Sequence, residues 1–198
     1  SPDDQAQLRR RWNLPSHDPV IGTVARLVPD KGVDQLLHGF RYVTTKFSDA
    51  HLFIVGDGPD RPALQRLADR LGIARRVRFA GSLPDTRVAL ALMDAFVFLP
   101  ASREGFGLSL LEAMASARPI VSVQRGGGSS WVLQQSGVGV TIPADEPRRL
   151  GQVLVELLDD RLRMRELGAQ AQDIAKSRYD LPRMVAQVEQ AYQDAAHG

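Results

Sequence analysis

Short apolar runs alternate with longer stretches of helical spacing along this chain. The runs are VIGTVARL (Val20–Leu27), HLFIVG (His51–Gly56), VRFAG (Val77–Gly81), AFVFLP (Ala95–Pro100), PIVSV (Pro119–Val123) and VGVTIP (Val138–Pro143). They are nearly continuous rather than alternating. Each therefore predicts a strand buried on both faces, as in a parallel sheet covered by helices. Helical spacing fills the gaps: Gln5–Trp12 behind Asp3 or Asp4 as a cap, Val33–Phe47, Arg61–Gly72, Asp85–Met93, Gly107–Ala117, and a stretch ending near Ser136. Pro62 suits a first helical turn and Gly72 a stop. Three more helical segments, from about Glu146 to His197, follow the last strand and are expected at the sheet edge or reaching beyond the chain. Six strands with intervening helices predict an α/β fold with a doubly wound, parallel, six-stranded sheet, in one domain over residues 1–198.

Composition narrows the class. The chain has 198 residues, 43% hydrophobic and 24% charged, with a formal net charge of +2. That is an ordinary globular balance with enough length for a core of its own. The small, scattered positive excess gives no case for nucleic acid, and Arg9-Arg10-Arg11 reads as a solvated helix face. There is no cysteine, which removes disulfides and thiolate metal sites. No apolar run reaches the roughly 20 residues that span a bilayer. The opening SPDDQAQ lacks the pattern of a signal peptide and starts on a helix cap, as the interior of a longer protein would.

Ligands of doubly wound sheets sit at the carboxyl ends of the strands. The loops there are RLVPDKG, GDGP, GSLP, SREGFG and RGGGSS. Gly105 and Gly107 precede one helix, and Gly126, Gly127 and Gly128 precede another. Free amides at such a helix start suit an anionic group, although each loop is also readable as a plain tight turn. Neither matches a P-loop, and GTVARL stands where a dinucleotide-binding fingerprint would be. Arg26 and Lys31 leave the first strand as cations able to hold phosphate, with Gly32 letting the chain turn close by. Glu112 is the only charge between Gly107 and Ala117. Among Leu, Met and Ala it is expected to be buried, and a buried carboxylate needs a partner. A structural salt bridge or capping bond is one reading; a ligand's vicinal hydroxyls are another. Glu104 stands at the helix entrance, where the helix dipole alone would favour it.

These residues resemble a known family. SREGFGLSLLEAMA is similar to the Glu-x7-Glu signature of retaining GT-B glycosyltransferases, with Glu104 and Glu112 as its acids. GTVARLVPDKGVDQLL resembles the family's Gly-x-x-x-Arg-Leu-x-x-x-Lys-Gly segment, and LFIVGDGPDRPAL and VRFAGSL follow in the family's order. The resemblance covers nearly the whole chain. It implies a Rossmann-like, nucleotide-sugar-binding C-terminal half of a two-domain enzyme, with the N-terminal acceptor half outside these residues. By this resemblance Arg26 and Lys31 hold the donor diphosphate, and Glu112 binds the ribose hydroxyls. Glu104, Gly105, Phe106, Gly107 and Leu108 face the donor sugar and phosphate, and Ser82 and Leu83 lie beside the base. The sequence departs from the family at Pro100-Ala101-Ser102-Arg103, where Pro-Ser often precedes the first acid. Ala117 stands where glycine is common, and Ser130 or Trp131 where an acid often follows the glycines.

The implied reaction moves a sugar from a nucleoside diphosphate sugar to an acceptor hydroxyl of a glycan or lipid, with retained configuration. The setting would be bacterial glycan, lipopolysaccharide or glycolipid synthesis, in the cytoplasm or at the inner membrane face. The nucleotide sugar is a substrate, and no cofactor is expected. No D-x-D motif is present, so the expectation is no metal, with Arg26 and Lys31 in that role. No histidine falls on a named loop, so none is assigned as base. The chain by itself is expected to be inactive. A sugar-nucleotide epimerase of related fold and a non-catalytic nucleotide-sugar-binding module are the rival readings. A receiver domain would want acids where Arg26 and Lys31 stand.

Overall fold

The computed structural model describes residues 2–101, 104–105, 107–124, 128–180, 185, 189 and 192–193; for 2–5 and 128–131 it describes the backbone alone. Helix α1 (Pro2–Arg11) leads into β1 (Val20–Val24), and a 3-10 turn at Pro29–Lys31 into α2 (Val33–Val43). Then come β2 (His51–Val55), α3 (Arg61–Arg70), β3 (Val77–Gly81), α4 (Arg87–Leu90) and β4 (Ala95–Phe98). The second half carries α5 (Leu108–Ala115), β5 (Ile120–Gln124), α6 (Gly128–Ser136), β6 (Val140–Pro143), α7 (Pro147–Asp159) and α8 (Arg161–Arg178). All six expected strands form, four of them one to three residues shorter than the apolar runs.

The strands make one sheet in the order β3-β2-β1-β4-β5-β6, parallel throughout. The order reverses between β1 and β4, where Ile21 pairs with Ala95 and Gly22 with Phe96. The pleat sends alternate side chains to two separate cores. Ile21, Leu52, Ile54, Ala95 and Val97 face one layer, closed by α2, α3 and α7. Val20, Phe53, Val55, Phe96 and Phe98 face the other, closed by residues of α4, α5, α6 and α8. Burial on both faces is the reason the four inner strands read as continuous apolar runs, whereas the edge strands β3 and β6 are only partly buried.

The terminal helices correct the expectation of edge packing. Helix α7 lies on α2, where a Cβ on Gly151 would come within 2.6 Å of the Gly39 carbonyl oxygen. Helix α8 turns to the other layer, with Ala171 and Ala175 fully or nearly buried there. Two apolar stripes, one per helix, need two covers, and the sheet offers one on each face. The third expected segment falls mostly outside the described residues.

Ala117 ends α5 with φ 54°, in the left-handed region that glycine occupies without cost. This is the position where glycine is common in the family that the sequence resembles. Ala117→Gly is therefore expected to be neutral or stabilising by up to about 1 kcal/mol in a denaturant titration. A loss of similar size would mean that the Ala117 methyl contributes packing that outweighs its backbone strain.

Candidate functional site

The order reversal between β1 and β4 splays the loops that follow those strands, and a cleft of about 750 Å³ opens there. This volume lies within the range of about 300–1,000 Å³ usual for small-molecule sites. Its lining includes Arg26 and Lys31 from the β1 exit, Asp57 from β2, Ser82 and Leu83 from β3, and Glu104 after β4. Gly105, Gly107 and Leu108 also line it. Eight residues assigned to donor contacts from the sequence thus line one cleft. Phe106, Gly126 and Gly127 lie outside the described residues.

Lys31 and Glu104 form an ion pair within the cleft although 73 positions separate them. Lys31 is placed by the 3-10 turn, which ends at Gly32 in the left-handed conformation (φ 63°). The Ala101 amide donates to Glu104 Oε2 at 3.3 Å, so the carboxylate also folds back on its own loop. Burial alone would raise the Glu104 carboxyl. The Lys31 hydrogen bond, the Ala101 amide and the charges of Lys31 and Arg26 outweigh it, and the group is held below its ordinary value. A carboxyl with a lowered folded-state pKa stabilises the fold above its unfolded pKa. That contribution is lost as pH falls through the folded value. Wild type is therefore expected to exceed Glu104→Gln by on the order of 1 kcal/mol at neutral pH. The gap should close from about pH 5 downward. A gap that stays constant to pH 3 would show that the pair does not contribute through charge.

Helix α5 starts in the cleft. Gly107 is its cap at φ 76°, a conformation that costs a side-chain-bearing residue roughly 1–2 kcal/mol. With no side chain capping it, the first amides of α5 are available to an anion. Leu108, 73% exposed, projects beside them at the rim.

Glu112 corrects the sequence reading, because it is exposed. The core-facing stripe of α5 is Leu110, Ala113 and Met114. Glu112 shares the opposite face with Leu108 and Ala115, one turn past Leu108. Apolar composition hid this, since the outer face of α5 is itself apolar where it meets solvent. The Thr86 hydroxyl donates to Glu112 Oε2 at 2.9 Å, and Thr86 itself lines the cleft. Glu112 therefore stands at the rim with a partner that reaches inside. Sequence reasoning missed Thr86, whose only signal was a hydroxyl just past the β3 exit loop. It also missed Asp57 as a cleft residue. The Gly58 amide and Arg61 hold the Asp57 carboxyl below its ordinary value.

The sequence profile of the family described as "Glycosyl transferases group 1" matches residues 4–174. The chain belongs to this family. A group 1 relative from Corynebacterium glutamicum is a GDP-mannose-dependent monoacylated alpha-(1-6)-phosphatidylinositol monomannoside mannosyltransferase. It is 33% identical over 177 residues, which are 85% of this chain and 45% of the relative. The lipopolysaccharide core biosynthesis glycosyltransferase LpsE of Rhizobium meliloti is 31% identical over 81% of this chain and 46% of its own length. The chain thus spans about half the length of the curated relatives it matches. Among solved structures, Anabaena HepE in complex with UDP-glucose superposes with a TM-score of 0.87 at 24% identity. The match covers 98% of this chain and 53% of HepE. The C-terminal domain of a group 1 glycosyl transferase (LpcC) from Francisella tularensis superposes with a TM-score of 0.76 at 19% identity. Here 89% of this chain and 93% of that domain are covered. These likenesses establish the same six-stranded Rossmann-like architecture. No helix among the described residues is long and apolar enough to cross a membrane.

Proposed function

We propose that this chain is the donor-binding half of a glycosyltransferase that moves a sugar from a nucleoside diphosphate sugar to an acceptor hydroxyl with retained configuration. The observation that carries the reading is the meeting of Lys31 and Glu104 across the β1–β4 switch point, beside Arg26 and the uncapped start of α5. Two cations and a row of amides fit a diphosphate. In transfer, negative charge builds on the departing diphosphate. Fixed cations and amides stabilise it without having to reorganise. Arg26 and Lys31 carry that role in this proposal, and the leaving phosphate takes the acceptor proton. Glu104, released from Lys31, turns to the hydroxyls of the donor sugar. A ligand laid along the outer face of α5 meets Leu108 and then Glu112, one turn on. Glu112 there accepts the ribose hydroxyls while Thr86 holds its other oxygen. Ser82 and Leu83 flank the base.

The lipid-linked and lipopolysaccharide acceptors in the relatives' names support glycan or glycolipid synthesis as the setting. The acceptor site and the opposite cleft wall belong to a further domain. A thermal-shift panel of UDP-, GDP- and ADP-sugars tests the donor reading, because a ligand of the native state raises the melting temperature by mass action. No shift with any of them at millimolar concentration would refute it. Glu112→Ala is expected to weaken the best donor by about tenfold or more, the usual effect of losing a hydrogen bond to a charged group. Being exposed, the residue should be dispensable for the fold, so the variant should melt within a few degrees of wild type. Normal donor affinity together with a lowered melting temperature would make Glu112 a structural residue.

A further inference from the structure

The amino ends of the strands, opposite the donor cleft, enclose a second cavity of about 400 Å³. It lies between the segment before β1, the turn before β5 and the α7–α8 corner, roughly 16 Å of strand away from the cleft. Four arginines line it, Arg9, Arg118, Arg161 and Arg165, against one carboxylate, Asp94. Asp94 is already engaged, accepting the Val20 amide at 2.8 Å and standing 3.7 Å from Arg9 Nη2.

The two inner guanidiniums are hydrogen-bonded by carbonyl oxygens, and Asp94 is the one acid of the cavity lining that acts on both. Arg9, with 9% of its side chain exposed, donates Nη1 to the carbonyls of Pro15 (2.7 Å) and Asp18 (2.9 Å). Arg118 donates Nε to the Ser116 carbonyl and Nη1 to the Met93 carbonyl. Carbonyls fix a guanidinium in place without neutralising it, so one carboxylate, Asp94, is left to offset two inner guanidiniums. Burial accordingly pushes the Arg118 guanidinium below its ordinary value, and the Asp94 charge offsets this in part. Arg161 and Arg165 sit one turn apart on α8 and have no carboxylate partner among the described residues. The start of α8 is capped by Asp160, which accepts the Arg163 amide, so the cationic character comes from the side chains. Leu158, Met164 and Pro119 supply an apolar wall.

We propose that this cavity is a second binding site, for the phosphate group of a small phosphorylated molecule or of a lipid headgroup. Guanidinium forks match phosphate oxygens, and a dianion balances this excess of positive charge as a single carboxylate would not. The volume exceeds that of a bare phosphate, and the apolar wall accommodates a short carbon skeleton. The site is separate from the donor cleft and shares no residue with it.

The test is calorimetric titration of the chain with glycerol 3-phosphate, beside flotation with phosphatidylglycerol and phosphatidylcholine vesicles. Three proteins are compared: wild type, Arg161→Ala/Arg165→Ala, and Lys31→Ala. Both helix residues are exposed, so the double variant should melt as wild type does. Binding of one or both phosphate probes is expected to fall by at least about tenfold in the double variant and to persist in Lys31→Ala. Glycerol 3-phosphate binding would identify a soluble ligand. Selective flotation with phosphatidylglycerol alone would identify a headgroup. Binding lost in Lys31→Ala, binding unchanged in the double variant, or no binding of any probe would each overturn the proposal.

Discussion

Assayed alone, the 198-residue chain is expected to bind a nucleoside diphosphate sugar and to transfer it at least about five powers of ten more slowly than a full-length group 1 relative. One sheet with a core on each face supports folding without a partner. The cleft, however, is open to solvent, and it holds eight of the assigned donor residues, with Glu112 at its rim. Holding donor and acceptor together contributes roughly 7–11 kcal/mol to lowering a barrier, or about five to eight powers of ten in rate. If the opposite wall belongs to a further domain, as proposed, its absence forfeits most of that and admits water to the sugar. Donor affinity should fall far less, since phosphate and ribose contacts stay in place. The check is a transfer assay with one donor and one acceptor, comparing this chain with a relative of full length. Comparable turnover would place an acceptor site within these residues and end the half-enzyme reading.

Lys31→Ala is expected to weaken nucleoside diphosphate by about a hundredfold, and Arg26→Ala by about tenfold, while nucleoside affinity changes little in either. Both remove a cation that the proposed function sets against the diphosphate. Lys31→Ala does more, because Lys31 also neutralises Glu104. Without it a carboxylate, shielded only by Arg26 and the Ala101 amide, faces the incoming phosphates. Glu104→Ala added to Lys31→Ala should therefore recover part of the loss, a coupling that a double-mutant cycle isolates. Calorimetry with nucleoside and nucleoside diphosphate decides. Equal losses for the two ligands would remove the diphosphate from Lys31, and strictly additive effects would remove the electrostatic coupling to Glu104.

The strands were readable because burial on both faces of the inner ones leaves few polar positions, such as Thr23 and Ser122, to interrupt an apolar run. The sequence set Arg26, Lys31 and Glu104 in loops at one end of the predicted sheet, and the fold brings those loops to one cleft, because parallel strands deliver all their exits to the same side. Glu112 shows where reading stopped. An apolar helix does not reveal which of its faces meets the sheet, and a single charge on it fits a buried partner or an open rim equally well. Thr86 was invisible for a related reason. Its role depends on the distance from a short helix to a residue 26 positions away, and side-chain type alone carries no such distance. The destination of α7 and α8 was hidden too, since an amphipathic pattern names a helix's inner face without naming the layer it covers.

The strand order has a further consequence for the chain as it is synthesised. The first three strands emerge together and can pair as β3-β2-β1, which leaves β1 as an outer strand until β4 arrives some seventy residues later. In that interval Val20–Val24 presents unpaired amides and carbonyls with no charge among its side chains. Such an edge is a template for pairing with other chains. The junction between β1 and β4 that later shapes the ligand cleft is thus also the seam at which a nascent chain is most open to association.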